Sequence, residues 1–293
     1  MKSRWLLNLV LLLLVAGVAL ALYLVPKQKG AAPDKVAVSS VDPASIGKIS
    51  IEFPAKAAVV LEKQDSRWFL SQPYKARASH EVVGQILSIL TATTEEKLPG
   101  DDPSRYDLDH PVLKLHLDGE EFVFGTINPL DGRQYVGYHG AVYLLPSSHA
   151  EVASTQVVEM LDKHLLGPDE QIAGFDFSRL EQWEPTGLRL NHDNGQWKVS
   201  IAAAKPVQKE IDAWFSENWK DLTALSVEPY QPDARAKYPS FEIKLKNGKT
   251  LHLDKLRESP ELQLARPDEG LIYHFAQDTG FVILNPAIGF KPQ

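Results

Sequence analysis

The side chains capable of chemistry come in a few short groupings. Asp107-Leu108-Asp109-His110 puts three potential metal ligands within four residues. A hard cation usually takes six or more oxygens. Aspartate also favours the turn that would precede a strand opening at Pro111, so no metal is expected there. His80-Glu81-Val82-Val83-Gly84 begins like a zinc-protease helix, but Gly84 stands where the second histidine belongs, leaving the site one ligand short. Glu95-Glu96 and Asp101-Asp102 are adjacent acidic pairs. Paired carboxylates can divide acid and base roles, but these pairs read as solvated loop charges.

His116 and His252 fall on the polar alternation of two similar hairpins. Imidazoles facing one another could move protons. With no nucleophile or orienting partner beside them they read as exposed strand positions. The chain has no Gly-x-Ser-x-Gly, no P-loop and no Gly-x-Gly-x-x-Gly. No catalytic residue and no cofactor are therefore assigned. The remaining candidate is the polar loop Gly125 to Arg133, a turn-rich segment that a rigid sheet could present to a partner. Asn128, Asp131 and Arg133 are its candidate contact residues.

The elements that must position these residues recur along the chain. Val59 to Leu70 aligns with Leu188 to Val199 at an offset of 129, each reading as strand, polar turn, and strand opening on Trp68 or Trp197. Asn194-Gly195 is a strong hairpin signal, because both residues tolerate positive φ. Leu113 to Phe124 pairs in the same way with Phe241 to Leu253. Gly140 to Tyr143 matches Gly270 to Tyr273 at offset 130. The alternation of apolar and polar residues suits half-buried antiparallel strands. Trp68, Trp197, Tyr143 and Tyr273 read as packing residues.

Helical spacing appears once per copy, over about Ser79 to Thr91 and about Val207 to Leu225. A third helix is expected from about Ala150 to Leu166, stopped by Gly167-Pro168.

Trp5 to Val25 is apolar apart from Asn8. As a helix it would span about 31 Å, close to the hydrocarbon thickness of a bilayer. Trp5 and Tyr23 sit where aromatic rings favour the membrane interface. A cleaved signal peptide is an alternative, since Ala19-Leu20-Ala21 has a small-x-small form, but the apolar run continues past it. A buried core helix would have to be covered on every side. Two basic residues flank each end, so the charge bias is nearly balanced, and the N-terminal amine tips it toward an N-terminus inside. Lys27 to Ser40 has the composition of a tether.

Composition narrows the rest. The 293 residues contain no cysteine, which excludes disulfides, thiolate metal sites, a cysteine nucleophile and an acyl-cysteine anchor. The net charge is −7, from 31 basic and 38 acidic residues. Without the four basic residues flanking the apolar segment, the soluble part carries −11, a poor match to nucleic acid or an anionic lipid surface.

Several stretches resemble a bacterial family, the domain of unknown function 4340. They are Trp68-Phe69-Leu70, Tyr106 to Pro111, Gly125 to Pro129, Val142-Tyr143 and Asp162-Lys163-His164-Leu165-Leu166. Asp107 stands where that family more often has glycine. The resemblance implies a membrane-anchored envelope protein, in some cases associated with ABC-type transporters. It implies no reaction and no catalytic residue.

The expected architecture is α+β: an N-terminal transmembrane helix followed by two tandem repeats, each an antiparallel sheet of hairpins with one packed helix. Residues 1–29 form the anchor, 30–44 the tether, 45–149 the first repeat, 150–168 the linking helix and 169–293 the second repeat. The expected protein is non-enzymatic and single-pass in the inner membrane, crossing through residues 5–25. Its soluble part would lie in the periplasm and bind an envelope or transporter protein. A periplasmic hydrolase or glycan-binding module is the alternative.

Overall fold

In the computed structural model, residues 12, 14–17, 35–233 and 235–290 are described. The strands run β1 (Val36–Ala37), β2 (Lys48–Phe53), β3 (Lys56–Gln64), β4 (Arg67–Gln72), β5 (Ala76–Arg77), β6 (Thr93–Thr94) and β7 (Lys97–Pro99). Then come β8 (Leu113–Leu117), β9 (Glu120–Ile127), β10 (Arg133–Tyr138) and β11 (Ala141–Pro146). The second half contributes β12 (Ile172–Asp176), β13 (Arg189–Asp193), β14 (Gln196–Val199) and β15 (Ser226–Pro229). It ends with β16 (Ser240–Leu245), β17 (Thr250–Arg257), β18 (Glu261–Arg266) and β19 (Leu271–Ala276).

The strands form a nine-stranded sheet, β5-β4-β3-β2-β8-β9-β10-β11-β7, and an eight-stranded sheet, β14-β13-β12-β16-β17-β18-β19-β15, with β1 and β6 paired separately. Apart from the extra edge strand β5, the two orders correspond strand for strand. In each, the segment after the third strand crosses the sheet, adds a short edge strand at the far side and returns to the centre.

The hairpins follow from local chemistry. Asp65 and Ser66 have φ of 47° and 68°, and Asn194 and Gly195 have 49° and 77°, giving the two-residue turns that match strand twist. Strand alternation then sends Ile49, Ile51, Leu113, Leu115 and Leu117 inward, each 1% exposed or less. The second unit has an aromatic core, in which Phe175 lies 4.7 Å from Trp219 and 5.4 Å from Trp214, centroid to centroid.

The helices are α1 (His80–Leu87), α2 (Ser148–Ala153), α3 (Gln208–Asn218) and α4 (Gln277–Ile283). Ser79 caps α1 by accepting from Val82 N–H. The indole N–H groups of Trp183, Trp214 and Trp219 donate to the carbonyls of Leu284, Val282 and Ile283. They thereby satisfy acceptors that the end of α4 leaves open.

This corrects the expected α+β architecture. The described residues are dominated by three antiparallel sheets, and each large sheet carries two short helices where one was expected. The helix expected over 150–168 is replaced by α2, a 3-10 turn at Val157–Met160 and an extended ribbon. The ribbon finds hydrogen-bond partners on both flanks, which a helix could not supply at that place.

Among the described residues, no helix is long and apolar enough to cross a membrane. The expected anchor over 5–25, with Trp5 and Tyr23, falls mostly outside the described residues. Within it, Leu12 and Leu14 to Gly17 are helical and exposed.

Candidate functional site

The ribbon Met160 to Leu166 joins the two sheets. On one side Ser79 N–H donates to Met160 O at 2.8 Å, and Asp162 N–H donates to Arg77 O at 2.9 Å. On the other, Leu165 N–H donates to Leu222 O at 2.9 Å, and Ala224 N–H donates to Lys163 O at 2.8 Å. Isolated bridges Ala78 to Leu161 and His164 to Thr223 complete the stitching.

Two arginines lie behind the ribbon. Arg77, at the β5 edge of the first sheet, donates Nη1 to Asp162 Oδ2 at 2.5 Å and Nη2 to His164 O at 2.6 Å. It also reaches the second sheet, donating Nε to Glu269 Oε1 and Nη2 to Tyr273 OH, each at 2.9 Å. Tyr273 OH donates onward to Glu269 Oε2 at 2.6 Å. Arg266, with a side chain 1% exposed, makes a bidentate pair with Glu170 at 2.8 and 2.9 Å. It further donates to Leu165 O at 2.7 Å and to Asp268 Oδ2 at 2.7 Å.

Burial alone would lower both guanidinium pKa values and raise that of Glu170. The facing charges and hydrogen bonds overcome it, holding the arginines above their ordinary range and Glu170 below its own. Burial pushes the Tyr273 hydroxyl upward.

Two of the four acids that meet these arginines come from one length difference. The turn from β10 to β11 is His139-Gly140, whereas β18 to β19 is Pro267-Asp268-Glu269-Gly270. The longer turn supplies Asp268 and Glu269.

In front of the ribbon, Asp162 and His164 separate two clefts of about 580 and 540 Å³. His164 Nδ1 lies 2.7 Å from Asp162 Oδ1, which also accepts from His164 N–H at 3.0 Å. The first cleft lies beside the start of α1 and includes Glu81, Glu151 and Glu159. The second is backed by Leu166, Ile172, Phe215 and Trp219 and edged by Lys220 and Lys246. An aspartate-oriented imidazole beside a cleft can bind or exchange a proton. Among the described residues no hydroxyl side chain hydrogen-bonds to it.

The candidates read from the sequence lie elsewhere. Asn128 is buried, and its Oδ1 accepts from Leu130 N–H at 3.1 Å. Asp131 Oδ1 accepts from Arg133 N–H at 3.0 Å, while Arg133 Nε donates to Asp131 Oδ2 at 2.8 Å and Nη2 pairs with Glu96. These side chains shape the loop, and Leu130, 91% exposed, forms its tip.

Asp107, Asp109 and His110 converge with ligand atoms within 4.8 Å, all exposed, and Asp109 also accepts from Ser104 Oγ at 2.8 Å. His116 lies on β8 and His252 on β17, in different sheets. His252 pairs with Asp254 at 2.9 Å. Glu81 of the His80 stretch lines the first cleft.

Arg77 and Arg266 did not stand out in the sequence. The available signal was position: Leu262, Leu264 and Arg266 share one alternation, and an arginine on the inward face requires a buried partner.

The fold and this junction define a protein of two like-ordered antiparallel sheets, joined by a ribbon and a buried arginine–carboxylate network. The chain matches the domain of unknown function DUF4340 over residues 68–240, more than half of its length, and it belongs to that family. The matched span runs from the first residues of β4 to the start of β16 and so includes the whole ribbon. No curated protein and no solved structure matches the chain.

Proposed function

We propose that this protein is a non-enzymatic envelope protein, held at the inner membrane through residues 5–25, whose soluble part binds a protein partner in the periplasm. The observation that carries the reading is the junction. It locks two sheets into one body and opens clefts on both sides of His164. Ligand clefts favour such junctions.

The apolar run and the exposed helical residues Leu12, Leu14 and Val15 support attachment to a membrane. The family resemblance favours a transporter complex as the partner. The matching strand orders support descent from one duplicated unit of about 130 residues, consistent with the offsets in sequence. The soluble charge of −11 argues against nucleic acid.

The test is affinity purification of the full chain from membranes after mild crosslinking. A specific envelope protein recovered in stoichiometric amount is expected, and its absence overturns the reading. A C-terminal reporter fusion should signal outside the cytoplasm, and a cytoplasmic signal overturns the placement.

The Asp162–His164 pair favours a second reading, a periplasmic hydrolase or glycan-binding module. Under that reading His164→Ala abolishes glycan turnover or binding. Under the first reading no such activity is present to lose.

A further inference from the structure

We infer that the second cleft, on the Trp219 side of His164, is the docking site for an acidic, aromatic-bearing peptide segment of the partner. This inference rests on the partner-binding reading and specifies its chemistry.

The cleft includes three carboxylates, Asp162, Glu170 and Asp221. Glu170 has both oxygens filled by Arg266, and Oε2 also accepts from Gly167 N–H at 2.7 Å. Asp162 has one oxygen on Arg77 and the other on His164. Two of the three acids are therefore tied to groups behind the cleft and offer little to a ligand.

The cations at the rim are free by comparison. Lys220 and Lys246 are exposed, and neither forms an ion pair with a described carboxylate within 4.0 Å. His164 is already held through Nδ1 by Asp162, and His192 adds a second imidazole to the same lining. What the cleft offers is two unpaired ammonium groups, with Asp221 the one carboxylate not held by an arginine.

Behind the donors lies an apolar wall. Phe215 and Leu222 are half-buried, and Trp219 is fully buried beneath them. A cleft of about 540 Å³ has room for a few peptide side chains. An anionic group would meet the lysines while an aromatic ring covers Phe215 and Leu222. On a chain whose soluble part carries −11, such a site selects an acidic segment against the overall field, so the contact must be local.

The test uses the full chain in neutral detergent and a fluorescent peptide of alternating Glu and Phe, with a Lys-for-Glu version as control. The acidic peptide should bind, weaken at least tenfold in the Lys220→Glu/Lys246→Glu double variant, and weaken with added salt. Both lysines are exposed, so the variant should fold, checked by an unchanged melting temperature. Equal binding of the two peptides, or unchanged binding by the double variant, overturns the inference. Binding to phosphatidylglycerol vesicles in place of the peptide also overturns it, since a membrane is then the ligand.

Crosslinked capture distinguishes failure of the cleft assignment from failure of the partner reading. If wild type and double variant recover the same partner equally, the cleft assignment fails and the partner reading stands. If wild type recovers none, the partner reading fails as well.

Discussion

Arg77 donates Nε to Glu269 Oε1 at 2.9 Å across 192 positions of sequence, joining the edge strand of one sheet to a turn of the other. Both side chains are under one-fifth exposed. Removing one partner of a buried pair strands the other charge, at a cost of about 3–5 kcal/mol. Arg77→Ala should lose stability on that scale, because Asp162 and Glu269 both lose their nearest guanidinium partner. Tyr273→Phe removes two hydrogen bonds, one from Arg77 and one to Glu269, without stranding a full charge and should cost about 1–2 kcal/mol. Urea unfolding followed by tryptophan fluorescence distinguishes the two. Similar losses for both variants would mean that the network is not the main tie between the sheets.

Stability should fall with acid in two windows. His149 is held neutral by burial, below its ordinary pKa of 6.5. The unfolded chain therefore takes up a proton more readily, and stability declines as pH falls from 6.5 toward the folded value. Glu170 lies below its ordinary 4.5 despite its burial, because Arg266 stabilises the ionised form. Its contribution is complete above 4.5 and is lost as pH falls through the folded value. Urea midpoints measured against pH should show both declines. His149→Gln should flatten only the upper one and Glu170→Gln only the lower, and a variant that leaves its own slope unchanged refutes that assignment.

Two glycines should respond in opposite directions to alanine. Gly84 is exposed within α1, and an added Cβ meets nothing within 4 Å. Gly84→Ala should stabilise by about 0.5–1 kcal/mol. At Gly125 the same Cβ would come within 2.1 Å of Tyr106 O and 3.0 Å of Leu108 Cδ2. Gly125→Ala must push apart β9 and the Tyr106 turn, costing about 1–3 kcal/mol. Thermal melts of the two proteins test the contrast.

The 128–133 loop separates shape from contact. Asn128→Ala should cost about 1 kcal/mol, since Asn128 holds the Leu130 amide. Leu130→Ser should change stability by less than about 0.5 kcal/mol, being almost fully exposed. If the loop touches the partner, Leu130→Ser lowers crosslinked capture at unchanged melting temperature.

The hairpins were legible in the sequence because their determinants are local. Asn194-Gly195 sets its own turn, and the alternation through Leu113 and Leu117 sets its own face. Helix α1 was legible for the same reason, with Ser79 as cap and Val83, Ile86 and Leu87 buried as the spacing required. The 150–168 stretch misled because the apolar pairs Met160-Leu161 and Leu165-Leu166, split by three polar residues, fix no single period. Its conformation is decided by Arg77 and Leu222, which lie far away in sequence. The arginine network stayed hidden on the same ground: no window around residue 77 contains residue 269. The polar loop is conspicuous by composition alone, and its Asn128, Asp131 and Arg133 side chains serve the turn itself.

The contacts at the junction are not reciprocal. The first sheet presents its β5 edge and the second a four-residue turn, while the equivalent turn of the first sheet is the short His139-Gly140. A head-to-tail contact between like units has no internal twofold axis and gives the molecule a direction. One terminus of this two-unit row ends in the β14 edge, where the Gln208 side chain bonds both backbone groups of Trp197, the other in the short His139-Gly140 turn. The two ends of the row are therefore chemically different.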